Sequence, residues 1–385
     1  MPQVKSEVQT FARIKVLGIG GSGGNALDHM IHSKVNGVEF IAINTDSQDL
    51  HKSSAKKKIH IGKNVTKGLG AGMNPEIGRR AAEETLEEIQ EATKGADMVF
   101  VAGGCGGGTF SGAAPKIAQT AKESGALTVA VATKPFFFEG KQRMQIAERS
   151  IEELRKSVDS IIIIPNDRLL GIIDKETTAK TAFAKCDEVL KQAVEGISDL
   201  ITTPGIINVD FADIRAILVD AGPALMGIGQ STGEKRAEEA AKSAINSPLL
   251  DISIAGAKGV LFSIAGGDDL TMFEIQEAAK IITESVDPDA KIIFGTVKDT
   301  TLRKGEVKVT VIASGFPESA IKKSLFGTTT LPNFDDEKKN EKKGIFVSKE
   351  KTKKEEAKKD TPVAASVEED DWGAVPSFLR RSKLK

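Results

Sequence analysis

The chain has 385 residues, 53 Lys and Arg against 54 Asp and Glu, and a formal net charge of −1, which allows two domains and a tail and gives no global electrostatic case for nucleic acid as a partner. Two cysteines, Cys105 and Cys186, exclude a disulfide framework and predict a reducing compartment. Residues 1–10 are polar, without the apolar core of a signal peptide, and no run is long and apolar enough to cross a bilayer, so a soluble, cytoplasmic protein is expected.

Residues 13–18 (RIKVLG) read as a short strand, followed by the glycine loop GIGGSGGN and a helix from Ala26. Gly18, Gly20 and Gly23 satisfy the dinucleotide fingerprint, and Asp46, at the end of the next strand (40–46), stands where a ribose-binding acid belongs. That motif alone points to a nicotinamide- or flavin-dependent oxidoreductase, a reading that leaves the later glycine loops unused. The next loop, 67–75 (KGLGAGMNP), ends with Asn74 suited to an N-cap and Pro75 to the first helical position. The helix it opens is expected to run through Arg79 and Leu86 toward Ile89.

A buried strand at 96–101 leads into AGGCGGGTFSGAAP at 102–115, and a helix follows at 116–122. Gly103, Gly104, Gly106, Gly107, Gly108 and Gly112 are more glycines than a turn requires. Without Cβ atoms, several N–H groups can converge on one anion, and the following helix adds the positive end of its dipole. Phosphate is the ligand this stretch suits. No cluster of His and Cys accompanies Cys105, so no protein-held metal is expected. Residues 128–133 and 160–165 are further buried strands. Strands alternating with helices predict an α/β fold with a parallel sheet, covered on both faces, and ligands at the carboxyl ends of its strands.

From 178 to 201 the pattern is helical, with Phe183, Cys186, Leu190, Ala193, Val194, Ile197 and Ile201 at three- and four-residue spacing. Pro204 stops it. Asp210 and Asp213 then read as a helix cap and a first-turn acid. Strands at 257–264, 291–297 and 307–313 with a helix at 270–285 make a smaller mixed α+β domain. After Pro317 the chain turns to Lys, Glu, Asp, Thr and Ser, too polar to offset its chain entropy, and is expected to be a disordered linker. It ends in an apolar cluster around Trp372, Val375, Pro376, Phe378 and Leu379, the mark of a partner-binding peptide.

With these residues in order, the chain resembles the FtsZ family of bacterial tubulin-like cell-division GTPases from about Ile14 to Gly315. The resemblance is carried by GIGGSGGNAL, FIAINTDSQDL, GLGAGMNPEIGRRAAEE, GGCGGGTFSGAAP, TKPFFFEGKQR and GIINVDFADI. It implies a tubulin-like fold: an N-terminal extension (1–12), a GTP-binding domain (13–177), a central helix (178–203), a C-terminal domain (204–316) with its activating loop at 205–213, a linker (317–370) and a peptide (371–385). By the same resemblance Gly21, Ser22, Gly23, Gly24 and Asn25 hold the nucleotide, with Asn25 toward the base. Ala71, Gly72 and Asn74 face the γ-phosphate, and Gly106, Gly107, Gly108 and Thr109 cradle the phosphates. Glu139 and Arg143 address the ribose, and Asn166, Phe183 and Asp187 meet guanine. Phe183 and Asp187 are also one helical turn apart, so ring and carboxylate share a face even without the family. The bland alternative for the pair is a core aromatic and a solvated acid.

The resemblance further implies that Asn208, Asp210 and Asp213 complete the active site of a neighbouring subunit, where the aspartates polarise the attacking water. Mg²⁺ bound through phosphates and water would serve GTP or GDP as cofactor partner. Head-to-tail contact would build open filaments. Val375, Pro376, Phe378, Leu379 and Arg380 are similar to the family's C-terminal peptide, which engages membrane-anchoring and regulatory division proteins, so membrane contact would be indirect and the protein would gather at mid-cell. Two residues depart from the family's glycines, Ser22 and Phe110. A bulky residue at positive φ would be strained by about 1–3 kcal/mol, so Phe110 predicts altered GTP affinity, hydrolysis or filament turnover, or a filament scaffold that barely hydrolyses.

Overall fold

The structure is a computed structural model and describes residues 12–171, 176–250, 253–299 and 302–316. The expected linker and the peptide with Val375, Pro376, Phe378, Leu379 and Arg380 lie outside the described residues. The strands are β1 (Ile14–Ile19), β2 (Val38–Asn44), β3 (Lys57–His60), β4 (Met98–Gly104), β5 (Leu127–Lys134), β6 (Ser160–Pro165), β7 (Gly222–Thr232), β8 (Gly259–Gly266), β9 (Lys291–Lys298) and β10 (Glu306–Ser314). The helices are α1 (Gly20–His32), α2 (Ser47–Lys52), α3 (Lys63–Thr66), α4 (Pro75–Glu84), α5 (Leu86–Thr93), α6 (Thr109–Glu123), α7 (Lys141–Ser157), α8 (Asn166–Leu170), α9 (Ala179–Thr202), α10 (Phe211–Leu218), α11 (Arg236–Ile245) and α12 (Met272–Glu284).

These strands form one sheet in the order β3-β2-β1-β4-β5-β6-β7-β10-β8-β9. The first seven are parallel, β10 runs antiparallel to both neighbours, and β8 pairs parallel with β9. The strands of the parallel half are apolar on both faces, as burial under two helix layers demands. Val16, Phe100, Val129 and Val131 point into one core with α1 and α9, while Leu17, Val99, Val101, Ala130 and Ala132 point into another with α4, α5, α6 and α7. A third core lies beneath α11 and α12.

Strand order reverses between β1 and β4, and the chain leaves each of these strands through glycines into a helix. Such a switch point is where open α/β sheets bind ligands. The expected helix from Pro75 toward Ile89 is two helices. Thr85 leaves helical geometry (φ −117°, ψ 24°), and its Oγ1 accepts from the Gly62 N–H at 3.3 Å. Pro115 lies inside α6 and removes the helical partner of the Ser111 carbonyl. Ser150 of α7 donates its hydroxyl to that carbonyl at 3.2 Å.

Several described elements were not expected from the sequence: the strands β3 and β7 and the helices α2, α3, α7, α8 and α11. β7 carries Gly227 and Gly229 mid-strand, which reads as loop. Added Cβ atoms there would fall 2.0 Å from the Ala244 and Ala240 carbonyls, so these glycines let the alanine-rich α11 lie directly on the strand.

Candidate functional site

Above the switch point is a cleft of about 480 Å³, lined by the ends of β1, β4 and β5, the first turns of α1 and α6, and one face of α9. Neither α1 nor α6 has a side-chain cap or an acidic residue in its first turn. By contrast Asp46, Asn74, Thr178, Asp210 and Thr271 cap α2, α4, α9, α10 and α12. Two helix N-termini with their N–H groups and dipoles directed at one cleft make an anion site. Asp46 accepts from the Gln48 and Asp49 N–H groups as the cap of α2 and is not part of the cleft lining, which removes the ribose-binding acid that an oxidoreductase reading needs.

Of the expected nucleotide residues, the cleft lining brings together Gly21, Ser22, Asn25, Gly72, Gly107, Gly108, Thr109, Glu139, Arg143, Asn166, Phe183 and Asp187. Gly23, Gly24, Ala71, Asn74 and Gly106 stand outside it. Gly23 is needed for packing, since a Cβ there would lie 2.5 Å from the Ala102 carbonyl. Asn74 caps α4 through Oδ1, which accepts from the Glu76 N–H at 3.0 Å. The Gly106 N–H donates to Ser111 Oγ at 2.9 Å and the Gly108 N–H to the Gly72 carbonyl at 2.8 Å. The second bond joins the phosphate loop to the 66–72 loop backbone to backbone.

Phe110 does not carry the strain considered for it. It is absent from the described non-glycine residues at positive φ, which are Lys34, Lys67 and Asp220. It is the second residue of α6, 3% exposed, and its ring fills the core beside Gly103.

On the base side, Glu139 and Arg143 form an ion pair at 2.5 Å one helical turn apart. Phe183, half exposed, meets the buried Phe136 edge-on at 5.4 Å. Asp187 is partly buried, and burial pushes its carboxyl up to about 6, opposed by His29 across the α1–α9 contact. Asn166 is 6% exposed and its Oδ1 is a buried acceptor without a hydrogen-bond partner. An unpaired buried acceptor beside an aromatic face and a carboxylate fits the N–H edge of guanine. Gly20, Thr133, Pro135 and Cys186 also line the cleft. Gly20 and Cys186 were signalled by the first glycine loop and by the Phe183 helix face, and Thr133 and Pro135 belong to the stretch TKPFFFEGKQR that carries the family resemblance.

Asn208, Asp210 and Asp213 lie outside this lining. Asn208 Oδ1 accepts from the Gly205 N–H at 2.7 Å, and Asp210 caps α10 by accepting from the Asp213 N–H at 2.8 Å, as the isolated reading of these acids expects. They follow the C-terminus of α9, whereas Phe183 and Asp187 sit in its N-terminal turns. A helix of 24 residues is ~36 Å long, so cleft and loop occupy opposite ends of one rod.

A parallel sheet read at its switch point by two uncapped helices, with the base edge supplied by a long helix behind it, defines a nucleotide-binding protein of tubulin-like architecture. Residues 13–174 match the Tubulin/FtsZ family GTPase domain, and residues 222–317 the FtsZ family C-terminal domain. A solved FtsZ dimer from M. jannaschii is 46% identical, with a TM-score of 0.77 over 80% of this chain and 89% of that one. A CetZ2 protofilament from Haloferax volcanii with bound GTPγS is 20% identical at a TM-score of 0.68, covering 82% of this chain and 96% of that one, a likeness of fold. The chain belongs to the FtsZ family. It is a GTPase that binds guanine nucleotide.

Proposed function

We propose that this protein is a GTP-dependent cell-division polymer whose subunits join head to tail and hydrolyse GTP at the junction. The observation that carries the reading is the placement of cleft and loop at opposite ends of α9. Asp210 and Asp213 stand too far along the helix to act on their own cleft, and a second copy brings them there. The large exposed apolar residues favour the same contact. Leu69 (82% exposed) in a loop and Phe137 and Phe138 in a short 3-10 turn lie on the cleft side. Ile206, Met272 and Phe273 (79% exposed) lie off the carboxyl ends of β9 and β8, where Ile207 bonds with Thr296. Two separate apolar patches suit a heterologous, open-ended assembly.

In this reading Gly21, Ser22, Gly107 and Thr109 bind the phosphates, and Asn166, Phe183 and Asp187 select guanine. Mg²⁺, taking the hard oxygen donors of phosphates and water, neutralises charge that develops on the transferred group. Asp210 and Asp213 of the adjoining copy orient the attacking water. Division-ring assembly at mid-cell, and recruitment of membrane-anchoring and regulatory division proteins through Val375, Pro376, Phe378, Leu379 and Arg380, complete the proposal. Because Phe110 is helical and buried, it gives no support to a scaffold that barely hydrolyses.

The test is phosphate release from GTP with Mg²⁺ against protein concentration, alongside light scattering. A rate per molecule that rises above a threshold, together with scattering, is expected. Asp213→Ala should bind GTP and lose the release, and mixing it with a cleft variant such as Asp187→Ala should restore part of it. A rate per molecule independent of concentration refutes a shared site.

A further inference from the structure

We infer that Thr45 is a positioning residue of the nucleotide site, whose hydroxyl makes the phosphate loop and the 66–72 loop respond together to a terminal phosphate. The inference rests on the guanine-nucleotide reading above. Thr45, the residue just after β2, is fully buried and is not part of the cleft lining. Its Oγ1 lies 2.7 Å from Oγ1 of Thr109, the first residue of α6. Its carbonyl accepts from Thr66 Oγ1 at 3.1 Å and from the Gly70 N–H at 3.3 Å. One residue therefore holds the threonine at the mouth of the anion site and the loop that leads into Gly72.

Proton counting gives the pair a direction. Each hydroxyl has one proton, and either can donate across the 2.7 Å contact. An anion at the N-terminus of α6 draws the Thr109 proton to itself, since hydrogen bonds to charged acceptors are the stronger ones. Thr109 then offers Thr45 only lone pairs, and Thr45 must donate. Binding at Thr109 thus fixes the direction of the Thr45 hydroxyl, in the same residue whose carbonyl anchors Gly70. Gly72 of the 66–72 loop lines the cleft together with Gly107, Gly108 and Thr109, so a phosphate chain long enough to reach Gly72 engages the loop as well as the helix N-termini. Thr45 should for that reason act on the preference for GTP over GDP more than on nucleotide binding as such.

The test is the dissociation constants of GTP and GDP, measured with Mg²⁺, for the full chain and for Thr45→Val and Thr45→Ser. Valine keeps the shape and removes the donor. It should lower the ratio of GTP to GDP affinity by roughly three- to tenfold, the worth of one such bond, while serine restores it. An equal loss for both nucleotides, or an unchanged ratio, overturns the proposal and leaves the nucleotide reading standing. If the wild-type chain binds neither nucleotide, both fall. A second measurement needs no variant: the Leu69 and Gly70 amides should exchange more slowly with GTP than with GDP, and equal protection refutes the coupling.

Discussion

The ring of Phe110 occupies the space that a side chain on Gly103 would need: a Cβ built on Gly103 would lie 2.2 Å from a Phe110 ring carbon. The end of β4 and the first turn of α6 are therefore fitted to each other by one missing and one large side chain. Phe110→Gly should cost about 3–5 kcal/mol through the cavity it leaves. Gly103→Ala should destabilise the wild-type chain and cost less in the Phe110→Gly background, where the Ile19 carbonyl, 2.9 Å from the built Cβ, is the close contact that remains. Urea unfolding of the four proteins in a double-mutant cycle measures that coupling.

Guanine recognition should depend on the ionisation of Asp187. Burial holds its carboxyl at about 6, and only the carboxylate accepts both N–H groups of the base edge. Affinity for GTP should fall as pH drops from 7.5 to 5.5. The phosphates of GTP also take up protons in this range, so Asp187→Asn is the reference, and the extra slope of the wild type belongs to Asp187. Asp187→Ala should weaken GTP roughly 10–100-fold at pH 7.5. Both are read from nucleotide titrations.

Both cysteines should be inert in the folded protein although both line the cleft. Burial pushes the Cys105 and Cys186 thiols up to about 12, with the nearby Asp187 adding to the shift of Cys186. At pH 8 an aromatic disulfide reagent should label neither thiol in native buffer and both in denaturant, counted by mass spectrometry. Rapid native labelling of either would contradict the burial.

The contact between α9 and the C-terminal strands should weaken as pH rises. Asp199 is pushed up to about 7 by burial and by Glu195 and Asp299, which Lys308 and Lys191 only partly offset. Between its ordinary value and about 7 the folded chain holds a proton that the unfolded chain releases, so stability falls as pH rises through that window. Asp199→Asn removes the titration. Its melting temperature relative to wild type should be higher at pH 8 than at pH 5.

Glycine placement and apolar runs made the parallel half of the fold legible in the sequence. The strand ends at Ile19 and Gly104 and the anion site between them follow from residues that act locally. What stayed hidden depends on which neighbour a side chain takes and on how adjacent elements pack, neither of which spacing shows. Asp46 matches a ribose-binding position by spacing, yet the backbone at Gln48 and Asp49 claims its carboxylate. Asn74 carried two expectations, cap and phosphate contact, and the cap is the one seen in its hydrogen bonds, through Oδ1. Phe110 departs from a glycine pattern, but its acceptability depends on where α6 begins and on the bareness of Gly103, neither of which is visible at position 110 alone. β7 was concealed because Gly227 and Gly229 answer to α11, which follows them in the chain.

The length of α9 has a consequence for the proposed assembly. Its N-terminal turns border the nucleotide and its C-terminus hands the chain to the hydrolytic loop, so in a head-to-tail row each copy's helix spans from one nucleotide toward the next. The periodicity of such a filament would then be set by this rod of ~36 Å, and an insertion or deletion of one turn in α9 would change the pitch of the polymer by ~5 Å or break its register.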